Sequence, residues 1–111
     1  MTLGEASMIQ LIMLYHQQVS DYSAQLASCL SATPLTSEQE QQIVRLAHQL
    51  RGESLSMGAD QLAGLAKQLE LLAKTQRTTS RQLDEAFSAL RLAAAHTHSA
   101  LERWCRDHLS S

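Results

Sequence analysis

The sequence of 111 residues contains few of the residue types that build β-sheets and tight turns. Only 4% of it is aromatic, proline occurs once and glycine four times. Sheets favour aromatic and β-branched side chains and need turn residues at regular intervals, so this composition argues against a β-sheet protein. Hydrophobic residues make up 44% of the chain, which is enough for a packed helical core. We expect an all-α fold and a single domain over residues 1–111.

The sequence also lacks an excess of charge of one sign and a long apolar run. Nine Lys and Arg against eleven Asp and Glu give a net charge of -2, without a basic block. Nucleic acids and anionic membranes select clustered basic residues, so we expect neither as a partner. No apolar run reaches the roughly 18 residues that cross a bilayer. The N-terminus carries an acidic residue where a signal peptide carries basic ones, and we therefore expect a cytoplasmic protein.

Motifs for nucleotides, metals and disulfides are missing as well. No glycine lies in a GxGxxG or GxxxxGK motif, so we expect no ATP binding and no kinase activity. Cys29 and Cys105 are far apart and match no CxxC spacing, which predicts two reduced, largely buried thiols without an assigned role. His96 and His98 are two residues apart on a predicted helix and point to different faces, so we expect surface residues rather than metal ligands.

Two further histidines, His16 and His108, lie near the edges of apolar stripes. The sequence identifies no partner for either of them. We expect both to be ordinary surface residues rather than parts of a site.

Apolar residues recur at steps of three and four along most of the chain, which is the spacing of amphipathic helices. The first stretch predicts a helix over residues 4–31, and Pro34 then interrupts the pattern because a helix interior does not accommodate proline. A second helix is expected over residues 37–55. Two capping boxes are possible at its start: Thr36 with Gln39, or Ser37 with Glu40.

The second half of the chain predicts two more helices. A glycine suits the turn after the second helix, and the third helix is expected to begin at Ala59 or Asp60. Residues 74–78 form a polar connection, after which Thr79 with Gln82 can cap a fourth helix. Four helices joined by short connections usually become antiparallel neighbours. We therefore expect an antiparallel up-down-up-down four-helix bundle.

One histidine of the second helix points away from the predicted core. At about 100° per residue, the apolar stripe of this helix faces one direction, and His48 lies roughly 140° from that direction. Val44 and Leu55 lie beside it, and Arg51 follows one turn later. The geometry predicts an exposed imidazole among apolar neighbours, with a guanidinium group next to it.

Gly52 lies four residues after His48, on the same exposed face. Glycine inside a helix costs about 1 kcal/mol relative to alanine, so its presence there needs a reason. One explanation is that it leaves space for a group that approaches the imidazole. The alternative is that the helix frays at Gly52 and that His48 is an ordinary surface histidine.

The segment over residues 46–70, LAHQLRGESLSMGADQLAGLAKQLE, resembles the signature of histidine-containing phosphotransfer (HPt) domains. That signature has the form A-H-x-L-K-G-x-x-x-x-x-G-a-x-x-L and is followed by a final L-E. The resemblance covers about a quarter of the chain, and the four predicted helices agree with the fold that it implies. The matching positions are Ala47, His48, Leu50, Gly52, Gly58, Ala59, Leu62, Leu69 and Glu70.

The resemblance implies a phosphorelay intermediate. His48 would accept a phosphoryl group, on Nε2, from a receiver-domain aspartate and pass it to another receiver domain in two-component signal transduction. Arg51 would stabilise the phosphoryl group, Gly52 would keep the approach to His48 clear, and Gly58 would shape the turn between two helices. The partner receiver domain would supply Mg²⁺, so this chain is expected to need no cofactor of its own.

The receiver domain is expected to dock around His48. The residues expected to line that surface are Gln41, Val44, Arg45 and Leu55. Two positions depart from the family pattern. Arg51 stands where lysine is usual and keeps the charge, and Glu53 stands where a small residue is common. The helical geometry places Glu53 on the flank opposite Arg51, away from the expected phosphate.

Two other functions compete with the relay. One is a helical adaptor that binds receiver or kinase domains without phosphate chemistry, although the presence of His48 and Arg51 argues against it. The other is the dimerisation domain of a histidine kinase, which is usually a helical hairpin that forms four helices only as a dimer. Four helices in one chain and the lack of an ATP-binding domain favour a monomer instead, so we expect a monomeric protein.

Overall fold

The computed structural model describes residues 3–31, 34–75 and 78–109, and within these ranges the chain forms four α-helices and no strand. The prediction of an all-α fold is therefore confirmed for the described part of the chain. The bounds differ from the predicted ones by about one residue, and the third helix includes Lys74, which the sequence assigned to a connection. The helices are α1 (Leu3–Leu30), α2 (Ser37–Ser56), α3 (Asp60–Lys74) and α4 (Ser80–Leu109).

Side-chain caps fix where two of the helices begin. The Thr36 hydroxyl accepts a hydrogen bond from the Gln39 backbone N–H at 3.2 Å, and the Gln39 side chain accepts one from the Thr36 N–H at 2.9 Å. The first of the two possible capping boxes is thus the one that forms. Thr79 and Gln82 make the same reciprocal pair before α4, as the sequence predicts.

A glycine closes the turn between α2 and α3. Gly58 has a φ of 74°, in the left-handed region that residues with a side chain rarely adopt. The turn lets the N–H groups of Gly58 and Ala59 donate to the carbonyls of Leu55 and Ser54, at 3.1 and 2.8 Å. These bonds satisfy carbonyl groups in the last turn of α2. The chain can therefore start α3 immediately, and α3 packs along α2.

The helices surround one apolar core. α2 contacts α1 and α3, and α4 contacts the same two helices. The predicted apolar stripe of α2 lies inside: Ile43, Leu46, Ala47 and Leu50 are all buried. The other helices contribute Leu26, Leu62, Leu69, Phe87 and Leu90, among others. The buried stripe forces the opposite face of α2 to be exposed, and that face carries His48.

Two hydrogen bonds join α1 to the last turns of α2. The Tyr15 hydroxyl lies 2.7 Å from the buried Ser54 hydroxyl, and the Tyr22 hydroxyl donates to Glu53 Oε1 at 2.9 Å. Burial raises the pKa of Tyr15 above its usual value, because the charged phenolate is poorly solvated there. Both tyrosines therefore stay neutral and act as fixed polar contacts inside the bundle.

Two histidines of α4, His98 and His108, depart from the sequence expectation. His98 is half-buried rather than solvated, because its ring stacks on the His16 ring with 3.7 Å between the centroids. His108 stacks on Trp104, whereas His96 is exposed as expected. Spacing within one helix cannot show such contacts between helices, which is why His16 appeared to have no partner.

Cys29 is buried and Cys105 is half-buried, and neither takes part in a disulfide. Among the residues that the structure describes, no helix is both long and apolar enough to cross a membrane.

Candidate functional site

His48 lies in the middle of α2, and its side chain is 68% exposed. The residue before it, Ala47, is fully buried, as is Leu50 two positions later. This contrast follows from the 3.6-residue period of the helix and agrees with the orientation that the sequence predicts. One face of the imidazole is therefore open to a second protein, while its backbone is held by the core.

The buried carboxylate of Glu70 on α3 fixes one ring nitrogen of His48. Glu70 Oε1 lies 3.2 Å from His48 Nδ1, and the Glu70 side chain is only 7% exposed. Burial by itself raises the pKa of Glu70. The hydrogen bond and the charge of Lys74, together with those of His48, lower that pKa by more than burial raises it, so the pKa of Glu70 lies below its usual value. The ionised carboxylate can only accept hydrogen bonds. His48 Nδ1 therefore carries the proton, and the lone pair of the neutral ring is on Nε2.

Lys74 contacts the same carboxylate oxygen. Its Nζ lies 3.2 Å from Glu70 Oε1, and the two residues are four positions apart on α3. Lys74 and His48 thus both donate to one buried oxygen, Lys74 from the side of α3 and His48 from the side of α2. This chain of three polar groups couples a charged residue at the end of α3 to the exposed imidazole.

The sequence did not reveal Glu70 and Lys74 as parts of the site. In the sequence, Glu70 stands out only as a position that matches the HPt signature, and Lys74 only as the first residue of a polar connection. Their Glu–Lys spacing of four residues is a visible sign of a helical ion pair. It does not show which other side chain the carboxylate meets, because that depends on how α2 and α3 pack.

Arg51 and Gly52 occupy the turn of α2 that follows His48. Arg51 is half-buried, and helical spacing places it on the His48 side of α2. A Cβ atom added to Gly52 would meet no described atom within 4 Å apart from the backbone of its own helix, so nothing in the described part of the chain requires a glycine there. The helix also continues to Ser56, whose hydroxyl donates to the Gly52 carbonyl at 3.2 Å. The alternative of a helix that frays at Gly52 is therefore wrong.

The expected docking residues lie on two parts of the α2 surface. Gln41 and Val44 line a groove between α2 and α3, together with Ala73 and Lys74. Arg45 is exposed outside that groove. Leu55, at the other end of α2, is 51% exposed, and Leu71 next to Glu70 is exposed to a similar extent at 52%. Exposed apolar and charged side chains thus lie on the same two helices as His48 and Glu70.

Glu53 faces the opposite side of α2. Its Oε1 accepts a hydrogen bond from Tyr22 of α1, and its Oε2 is buried without a partner. The carboxylate therefore serves the contact between α1 and α2. Its direction agrees with the flank that the sequence predicts.

The described residues offer no group of three or more histidine, cysteine, aspartate or glutamate side chains that could hold a metal ion. The polar contacts that the structure shows at His48 are instead the Glu70 carboxylate on Nδ1 and, on the same carboxylate oxygen, the Lys74 ammonium group.

Comparison with known protein families identifies a match over most of the chain. A family model for the Hpt domain matches residues 10–106. No curated protein and no solved structure matches the chain. The matched region contains α2 and α3 with His48, Arg51, Gly52 and Glu70. Because the match spans most of the sequence, the chain belongs to the Hpt domain family, whose members act in phosphotransfer in two-component signalling and interact with receiver domains.

Proposed function

We propose that the chain is a phosphorelay intermediate. His48 accepts a phosphoryl group from the aspartyl phosphate of one receiver domain and passes it to the aspartate of another. The observation that carries this proposal is the exposed His48 ring, whose Nδ1 is held by the buried Glu70 at 3.2 Å. Because the ring is already oriented by this contact, little rotational entropy is lost when Nε2 meets the partner.

The transfer step uses the lone pair of Nε2. In the neutral imidazole, Nε2 attacks phosphorus, the bond between phosphorus and the aspartate oxygen breaks, and the aspartate leaves as a carboxylate with the electron pair. The proton stays on Nδ1, so the phosphorylated ring becomes positively charged. The ionised Glu70 next to Nδ1 stabilises that charge. The second receiver domain reverses the step with its own aspartate.

Charge on the phosphoryl oxygens needs stabilisation in the loose transition state. Arg51, one turn after His48, supplies a guanidinium group on the correct side of α2. The partner receiver domain supplies Mg²⁺, so this chain contributes no metal ligands. Gly52 removes a side chain that would stand beside the incoming aspartate.

The receiver domain docks on the surface around His48. Exposed Leu55 and half-buried Val44 supply apolar contact area, and Gln41 and Arg45 supply polar contacts. These residues follow one side of α2, so a single partner surface can cover them together with His48.

We also infer the arrangement of the whole chain. Residues 1–111 form one domain, and the helices alternate in direction, because the connections over 31–36, 57–59 and 75–79 are short. The protein works as a cytoplasmic monomer and binds neither nucleic acid nor membrane, which agrees with its net charge of -2 and its lack of a basic block.

The test is phosphoryl transfer from a labelled receiver domain to the wild type, His48→Gln and His96→Gln. His96 is a matched control, because it is also an exposed helical histidine. We expect an acid-labile, alkali-stable label on the wild type and on His96→Gln, and none on a folded His48→Gln. Label that persists on His48→Gln would overturn the assignment of the phosphoacceptor. A folded wild type that takes no label from several receivers would favour an adaptor.

A further inference from the structure

We infer that Lys74 is a positioning residue for the transfer: its ammonium group supplies the positive charge that Glu70 requires, which leaves the His48 ring neutral and Nε2 free to react. This inference rests on the proposed function of His48. Lys74 makes and breaks no bond in the proposed step, and it acts through the Glu70 carboxylate.

The starting point is the geometry of Glu70. Its side chain is only 7% exposed, and one of its carboxylate oxygens accepts hydrogen bonds from both Lys74 Nζ and His48 Nδ1 at 3.2 Å. A buried carboxylate is stable only with a positive charge or several hydrogen bonds beside it. In this site, two groups can provide the positive charge: Lys74 and a protonated His48.

Which of the two carries the charge decides whether the site can react. If Lys74 carries it, His48 needs only to donate Nδ1–H and remains neutral. If Lys74 is absent, the carboxylate attracts a second proton onto the imidazole, and that proton occupies Nε2. A ring protonated on Nε2 has no lone pair for phosphorus. Lys74 therefore keeps the lone pair of Nε2 available for transfer.

Other charged groups near the ring do not substitute for Lys74. Arg51 and Arg45 on α2 add positive charge around His48, but no hydrogen bond or ion pair joins either of them to Glu70. Glu53 points toward Tyr22 on α1. From α3, Lys67 is exposed one turn before Glu70. Within the described residues, the ion pairs of Glu70 are those with His48 and Lys74.

The first experiment follows the His48 ring by NMR as the pH is raised, in the wild type, Lys74→Met and Lys74→Arg. In Lys74→Met, the pH at which half of the ring is protonated should move upward by about 0.5 to 1 unit, and Lys74→Arg should behave as the wild type. Arg81→Met is the matched control, because Arg81 forms the corresponding four-residue ion pair with Glu85 on α4. An unchanged titration in Lys74→Met would overturn the inference.

The second experiment measures the transfer rate from a phosphorylated receiver domain against pH. On the acid side of the profile, Lys74→Met should be about threefold to tenfold slower than the wild type, and the difference should shrink as the pH is raised, because the imidazole then loses its second proton. A structural defect would slow transfer at every pH. The ring titration needs no phosphate, so it tests the role of Lys74 even if the wild type takes no label. Absence of label on the wild type would count against the proposed function and not against the role of Lys74.

Discussion

At His48, one ring nitrogen is held and the other is left open, and this asymmetry comes from a residue on another helix. The exposure of His48 was predictable, because it depends on the local period of α2 and on which side of α2 is apolar. The contact with Glu70 was not predictable, because it depends on the relative position of α2 and α3. The sequence therefore identified the candidate nucleophile but missed the groups that orient it.

Gly52 gives a prediction at the same scale. Because a Cβ there meets nothing within 4 Å, Gly52→Ala should stabilise the helix by about 0.5 to 1 kcal/mol, measured by urea unfolding. Gly52→Gln should fold equally well but should slow phosphoryl transfer by about tenfold or more, equivalent to about 1.4 kcal/mol in the barrier. Equal transfer rates for Gly52→Gln and the wild type would show that Gly52 does not keep the approach clear.

At the scale of the helices, the sequence predicts their number and their bounds closely. The apolar spacing and the breaks at Pro34 and Gly58 are local features, and they place α2 and α3 within about one residue. The choice between two capping boxes needed the structure, because both candidate pairs have the same spacing. The fold uses Thr36 with Gln39.

That choice predicts a difference between two adjacent substitutions. Thr36→Ala removes the hydroxyl that caps α2 and should lower the free energy of unfolding by about 1 kcal/mol. Ser37→Ala, one residue later, should change it by less than about 0.5 kcal/mol, because Ser37 is exposed at the first helical position. Urea unfolding of the two variants measures both values. Equal losses, or a larger loss for Ser37→Ala, would contradict the capping box at Thr36.

At the scale of the molecule, all four helices enclose one core, and two of them, α2 and α3, carry His48 and Glu70. α1 and α4 complete the core. They also contact each other, for example through the His16–His98 stack, and neither of these histidines forms an ion pair with Glu70. Composition and apolar spacing predicted four helices. Neither could predict the pairing of side chains from different helices.

The proposed monomer can be checked by its mass in solution. Sedimentation or light scattering should give about 12.3 kDa over a wide concentration range. Four helices from one chain already enclose a core, so no second copy is needed to complete it. A mass twice as large would contradict the monomer. It would direct attention to α1, where Met8, Leu11, Met13 and Leu14 are exposed.

The measurement that tests the central claim most directly is NMR of the phosphorylated chain, with ¹⁵N-labelled histidine and detection of coupling to ³¹P. We predict that phosphorus is bonded to Nε2 of His48, because Glu70 holds the proton on Nδ1. Phosphorus on Nδ1 of His48, or on any other residue, would contradict the account.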